Sequence, residues 1–117
     1  MAYEFKYYLG KEILDCINYG YTLEFKCRDE PVVLKIKVYE YDEKNYEVIV
    51  VLFNPRDWSI SGARTYIPKT ASDIESKFSG EEIDSKLRDL LCKILYEELG
   101  DVYDVANIIG RWLRNEL

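Results

Sequence analysis

Residues 21 to 53 read YTLEFKCRDEPVVLKIKVYEYDEKNYEVIVVLF. Apolar and polar residues alternate through most of this stretch, which is the period of a half-buried strand. From Tyr21 to Arg28, the residues Tyr21, Leu23, Phe25 and Cys27 take one face, and Thr22, Glu24, Lys26 and Arg28 take the other. Asp29-Glu30-Pro31 supplies turn formers. Val32 to Tyr41 is a second strand, with Val32, Leu34, Ile36 and Val38 on one face. A hairpin that sets Cys27 opposite Val32 brings Phe25 to Leu34, Leu23 to Ile36 and Tyr21 to Val38, with Glu24 beside Lys35 outside. Asp42-Glu43-Lys44-Asn45 is the next turn. From Tyr46 to Phe53 the alternation fails. Tyr46, Val48, Val50 and Leu52 fit the inner face, yet Ile49, Val51 and Phe53 are apolar too. A strand apolar on both faces is covered on both. The second cover is either a helix of the same chain or a second copy or subunit. The latter makes Ile49, Val51 and Phe53 an oligomer face.

Outward from these strands the period changes. Residues 5 to 18 carry Tyr8, Leu9, Ile13, Cys16 and Ile17 at helical spacing and end at Asn18 and Gly20, which predicts a helix. Tyr3, Phe5, Tyr7 and Leu9 also alternate like a strand, so residues 3 to 9 are ambiguous, with the helix favoured. Ala63 to Ile67 is a short fourth strand, limited by Pro68. Ser72-x-x-Glu75 and Ser79-x-x-Glu82 have the form of capping boxes. The second opens a helix that runs to Leu99 and is stopped by Gly100. Asp101 caps a last helix with Val102, Val105, Ala106, Ile109, Trp112 and Leu113 on one stripe. The expected architecture is a single α+β domain over residues 1–117. It has an N-terminal helix, a three- to four-stranded antiparallel meander, and a C-terminal αα-hairpin packed on the sheet.

This order is shared with double-stranded-RNA-binding domains. Those place a Lys-rich helix start after the sheet, where this chain has Ser79-Gly80-Glu81-Glu82. The chemistry is reversed, and that family is set aside.

Composition removes many activities. The chain has no histidine, so Ser-His-Asp and Cys-His catalysis and His-liganded zinc are excluded. It has neither GxxxxGK[ST] nor GxGxxG, the usual nucleotide cradles. Cys16, Cys27 and Cys92 form no CxxC and fall on apolar stripes. They read as reduced thiols of a cytosolic, non-enzymatic protein, with no cofactor and no metal expected. No apolar run has the length of a membrane span. The one enzymatic alternative is a Mg-dependent nuclease with Glu24-Phe25-Lys26 on a strand and Asp15 or Glu12 as a further carboxylate. A plain Glu24–Lys35 ion pair competes with it.

The net charge is −6, and residues 73 to 104 carry all of it, with ten acids against four bases. That balance argues against direct nucleic-acid binding and for a partner with a basic surface. Glu97, Glu98, Asp101 and Asp104 cluster where the last two helices meet. Glu97 and Glu98 also sit near a helix C-terminus, where the dipole disfavours anions by a few tenths of a kcal/mol. The second candidate contact is the stretch FNPRDWSISGARTYIPKT, residues 53 to 70, with Arg56, Trp58 and Arg64. Trp and Arg are the types most enriched at binding hot spots. Against this, Trp58 also suits a lid on the core and Arg56 a simple ion pair. The functional expectation is a small acidic protein that binds and blocks a basic macromolecule, most simply a nucleic-acid-processing enzyme. Size and charge are of the type seen among inhibitors encoded by phages and mobile elements, such as anti-CRISPR proteins, and among immunity proteins against nuclease toxins. The alternative is a structural or adaptor module working as a homodimer or complex subunit.

Overall fold

The computed structural model describes residues 2–53, 59–71, 73–80 and 82–117, with side chains from Gly10 onward. Arg56 and Trp58, two of the expected contact residues, lie outside the described residues, as does Ser72. The chain opens with helix α1 (Ala2–Tyr19), so the helical reading of residues 3 to 9 holds over the strand reading. Four strands follow: β1 (Tyr21–Cys27), β2 (Glu30–Glu40), β3 (Asn45–Phe53) and β4 (Ile60–Pro68). They form an antiparallel meander in the order β1-β2-β3-β4. Then come α2 (Ile74–Phe78), α3 (Ser85–Cys92), a π-helical turn (Lys93–Glu97) and α4 (Val102–Leu113).

The faces of the hairpin are as expected, but its register differs by two residues. Phe25 pairs with Val32, Leu23 with Leu34 and Tyr21 with Ile36. The cause is the turn. Arg28 and Asp29 both take left-handed backbone (φ 52° and 66°), the geometry of a tight two-residue hairpin loop. Glu30 and Pro31 therefore belong to β2. Pro31 is tolerated because β3 ends opposite Val33, so the missing N–H faces no β3 acceptor. A shift of two keeps every side chain on its face. Glu24 now lies opposite Val33, and Lys35 instead donates to Thr22 Oγ1 at 2.6 Å.

The sheet has a core on each side. Leu34, Ile36, Val48, Val50, Ala63 and Ile67 meet α3 and α4 through Leu87, Leu91, Val105, Ile109 and Leu113. On the other side, Ile13, Cys16 and Ile17 of α1 cover Ile49 and Val51, both fully buried, with Phe53 and Tyr39 packed alongside. This corrects the oligomer-face expectation for Ile49, Val51 and Phe53. The second cover is the chain's own first helix.

Gly20, between α1 and β1, lets the two elements approach. A Cβ there lies 2.5 Å from the Cys16 carbonyl and 2.9 Å from that of Ile36, both backbone atoms. Gly20→Ala is therefore expected to cost about 2 kcal/mol. An unchanged urea midpoint refutes the close approach.

The helix starts also differ from expectation. Ser79 ends α2, its Oγ donating to the Ser76 carbonyl at 2.8 Å, and opens nothing. The N-cap of α3 is Asp84, which accepts from the amides of Lys86 and Leu87. Asp caps as well as Ser, and this start puts Leu87 and Leu91 on the buried stripe. Asp73, which precedes α2, makes no side-chain cap. The cysteine expectation is corrected as well. Cys27 and Cys92 are joined in a disulfide with their Cα atoms 5.5 Å apart, and only Cys16 is free and buried.

Candidate functional site

At its last turn α3 widens into the π-helical segment, where the Glu98 amide reaches back to the Lys93 carbonyl at 2.9 Å. Leu99 then takes left-handed backbone (φ 52°) and reverses the chain. The Gly100 amide donates to the Ile94 carbonyl at 2.7 Å. A Cβ on Gly100 lies 2.5 Å from Ile94 Cγ2, so this bend is built for glycine. Asp101 and Asp104 form a reciprocal capping box at the start of α4. Asp101 Oδ1 accepts from the Tyr103 amide at 3.0 Å, and Asp104 Oδ2 accepts from the Asp101 amide at 3.0 Å.

The four acids of the sequence reading thus come together at one corner, and they divide in role. Asp101 and Asp104 hold the helix start while remaining exposed. Glu97 and Glu98 are exposed on the outside, with Lys93 3.7 Å from Glu98. Between the two pairs sits Leu99, 77% exposed, and Tyr103 beside them is 58% exposed. Sequence reasoning passed over both. Leu99 read as the last helical residue. Tyr103 stood off the buried stripe of its helix, and an aromatic on the wet side of an amphipathic helix was the available signal.

The corner borders a cleft of about 400 Å³. Val32, Leu52, Leu95 and Val102 give it an apolar lining, and Tyr96, Tyr103, Asp101, Ser59 and Ser61 add polar atoms. Tyr96 donates to Glu30 Oε2 at 2.9 Å, which ties the π-helical turn to the start of β2. The Cys27–Cys92 bond ties the end of α3 to the end of β1 nearby. The corner is therefore held on two anchors. Phe53 and Ser59, on either side of residues 54–58, also border the cleft.

Arg64 is placed elsewhere. It lies on the α1 side of β4 and does not join the acidic corner. Its Nη2 donates to Glu12 Oε2 at 2.6 Å and its Nη1 to Glu47 Oε2 at 3.2 Å. Burial pushes the Glu12 carboxyl up, more than the neighbouring Arg64 charge pulls it down, and the Glu47 charge adds to the rise. Further along α1, Asp15 accepts from Lys37 Nζ at 2.7 Å and from the Tyr39 hydroxyl, and these two donors hold its carboxyl low. Burial pushes the Cys16 thiol up to about 12, which keeps it protonated and unreactive.

These positions bear on the nuclease alternative. Glu24 and Lys26 share the exposed outer face of β1, while Glu12 and Asp15 are engaged by β4 and β2. Among the described residues no three acidic or cysteine side chains converge to hold a metal ion. Among the same residues no helix is long and apolar enough to cross a membrane.

The fold and corner define an α+β domain with an apolar cleft beside an acidic corner at the end of its sheet. No protein-family model matches this sequence, no curated protein matches it, and no solved structure matches it.

Proposed function

We propose that this chain is a non-enzymatic binding protein that docks a basic surface of a macromolecular partner through the corner of Glu97, Glu98, Leu99, Asp101, Tyr103 and Asp104. One observation carries the reading. Two large apolar side chains, Leu99 and Tyr103, stand exposed among four carboxylates beside an apolar cleft. Exposed apolar anchors with a charged rim are the anatomy of a contact surface. The carboxylates steer a basic partner and set its orientation, and the apolar groups supply burial. A nucleic-acid-processing enzyme fits as the partner, because its groove is built to receive phosphates and the acidic corner presents negative charge in their place. The product of such docking is inhibition.

The cytosolic location was expected from free thiols. That argument falls with the Cys27–Cys92 bond, since such bonds persist chiefly in oxidising compartments. The location now rests on the proposed partner alone.

The test uses Glu97→Lys with Glu98→Lys. These exposed positions lie outside the capping box, so the fold survives the change. Capture of the partner from host extract, identified by mass spectrometry, is expected to fall at least tenfold in the variant and to fall with salt in the parent. Undiminished capture by the variant refutes the reading.

A further inference from the structure

We propose that two copies of this chain pair through the outer edges of their β4 strands, giving an eight-stranded sheet with a two-fold axis at Ala63. The two edges of the sheet are not alike. The β1 edge is short, carries Glu24 and Lys26, and has α2 against it, with Phe78 stacked on Tyr21 at 4.3 Å. Charges and a covering helix are the usual means of blunting an edge. β4 is longer, Ile60–Pro68, and has no acid, no lysine and no proline before its last residue. Its single base, Arg64, is taken up by Glu12 and Glu47 of its own chain. Alternate backbone groups of an edge strand point away from its neighbour and template a further strand.

The sequence of β4 is complementary to itself when antiparallel. With Ala63 on the axis, Ile60 lies opposite Tyr66 of the second copy, Ser61 opposite Thr65, and Gly62 opposite Arg64. Each pair suits cross-strand contact. The first joins an aliphatic to an aromatic residue, the second joins two hydroxyls, and the third sets Arg64, held by Glu12 and Glu47 of its own chain, opposite a glycine that presents no side chain to it. No like charges lie directly opposite, and the two Arg64 residues, diagonal neighbours across the axis, are each neutralised by Glu12 and Glu47 of their own chain. A two-fold contact requires this reciprocity, in which each residue meets its counterpart twice. The pair that gains most is also the exposed one, since Ile60 is 50% exposed and Tyr66 41%. Tyr41 packs against Tyr66 with the rings tilted at 56° and their centroids 4.6 Å apart, and is itself 58% exposed, so it extends the apolar end of the strip. The acid excess that makes two copies repel lies in residues 73 to 104, off this strand.

The experiment is light scattering across a concentration series, at low and high salt, on three proteins. The parent is expected to be a dimer whose dissociation hardly responds to salt. Ile60→Lys with Tyr66→Lys sets lysine opposite lysine twice and is expected to raise the dissociation constant at least tenfold. Ile60→Glu with Tyr66→Lys sets opposite charges in the same places and is expected to restore pairing to within a few fold of the parent. The substituted side chains are exposed, and circular dichroism confirms that each variant folds. A parent that stays monomeric overturns the proposal. So does a dimer that is indifferent to the lysine pair, or one that is weakened equally by both variants.

Discussion

Replacing Cys27 and Cys92 together by alanine is expected to lower the unfolding free energy by about 4 kcal/mol. The bond closes a loop across a sequence separation of 65 residues, and closing so long a loop removes much of the freedom of the unfolded chain. For a chain of 117 residues that loss corresponds to a fall in melting temperature of roughly 15 °C. Reducing the parent protein is expected to reproduce most of the drop, since the effect lies in the unfolded chain more than in native contacts. Thiol titration supplies the companion measurement. Without reductant, the native protein is expected to expose no reactive thiol, because Cys16 is buried, and to show one after unfolding. Two further thiols in the unreduced, unfolded protein, or a melting temperature indifferent to reductant, sink the assignment of the bond.

The cysteine pair shows where a sequence stops being readable. Alternation and helical stripes are local signals, and they delivered the helix, the meander and the faces of each strand. The bond between Cys27 and Cys92 depends on which end of α3 lies over which end of β1, and no local signal carries that. The hairpin register failed for a related reason. Arg28 and Asp29 adopt left-handed backbone without the Gly or Asn that usually announces it, so the turn looked one residue later and longer than it is. The cap of α3 was misplaced because Ser79 and Asp84 are equally good N-caps, and only the burial of Leu87 and Leu91 chooses between them. At the corner, the acids were legible as a cluster. The capping duty of Asp101 and Asp104 was half legible: Asp101 read as a cap, but the reciprocal bond from Asp104 did not. Arg64 was read as a contact residue because its partners come from β3 and from a helix 52 residues away.

Arg64→Met is expected to destabilise the protein by about 3 kcal/mol at pH 7. The guanidinium lies between Glu12 and Glu47, at 2.6 Å and 3.2 Å, and the Glu47 side chain, which also accepts from the Tyr66 hydroxyl at 3.4 Å, is only 11% exposed. Removing it leaves two carboxylates facing each other under α1 with no compensating charge. The pH dependence follows from the same geometry. Burial and the Glu47 charge already hold the Glu12 carboxyl above its ordinary value of 4.5, against the pull of Arg64. Without Arg64 it rises further. A carboxyl raised in the folded state contributes stability that is full below its unfolded value and lost as pH rises through its folded value. The deficit of the variant is therefore expected to be small near pH 4 and to widen toward pH 7, as read from urea denaturation at each pH. Adding Glu12→Gln and Glu47→Gln removes the stranded charges and is expected to recover a large part of the loss at pH 7 and to flatten its pH dependence. The result also decides what Arg64 is for. A loss under about 1 kcal/mol at pH 7, the size of an exposed ion pair, means that the guanidinium is not committed to α1 and is open to a partner. A loss near 3 kcal/mol that the two glutamines relieve means that Arg64 fastens α1 over Ile49 and Val51, and that partner contact is left to the acidic corner.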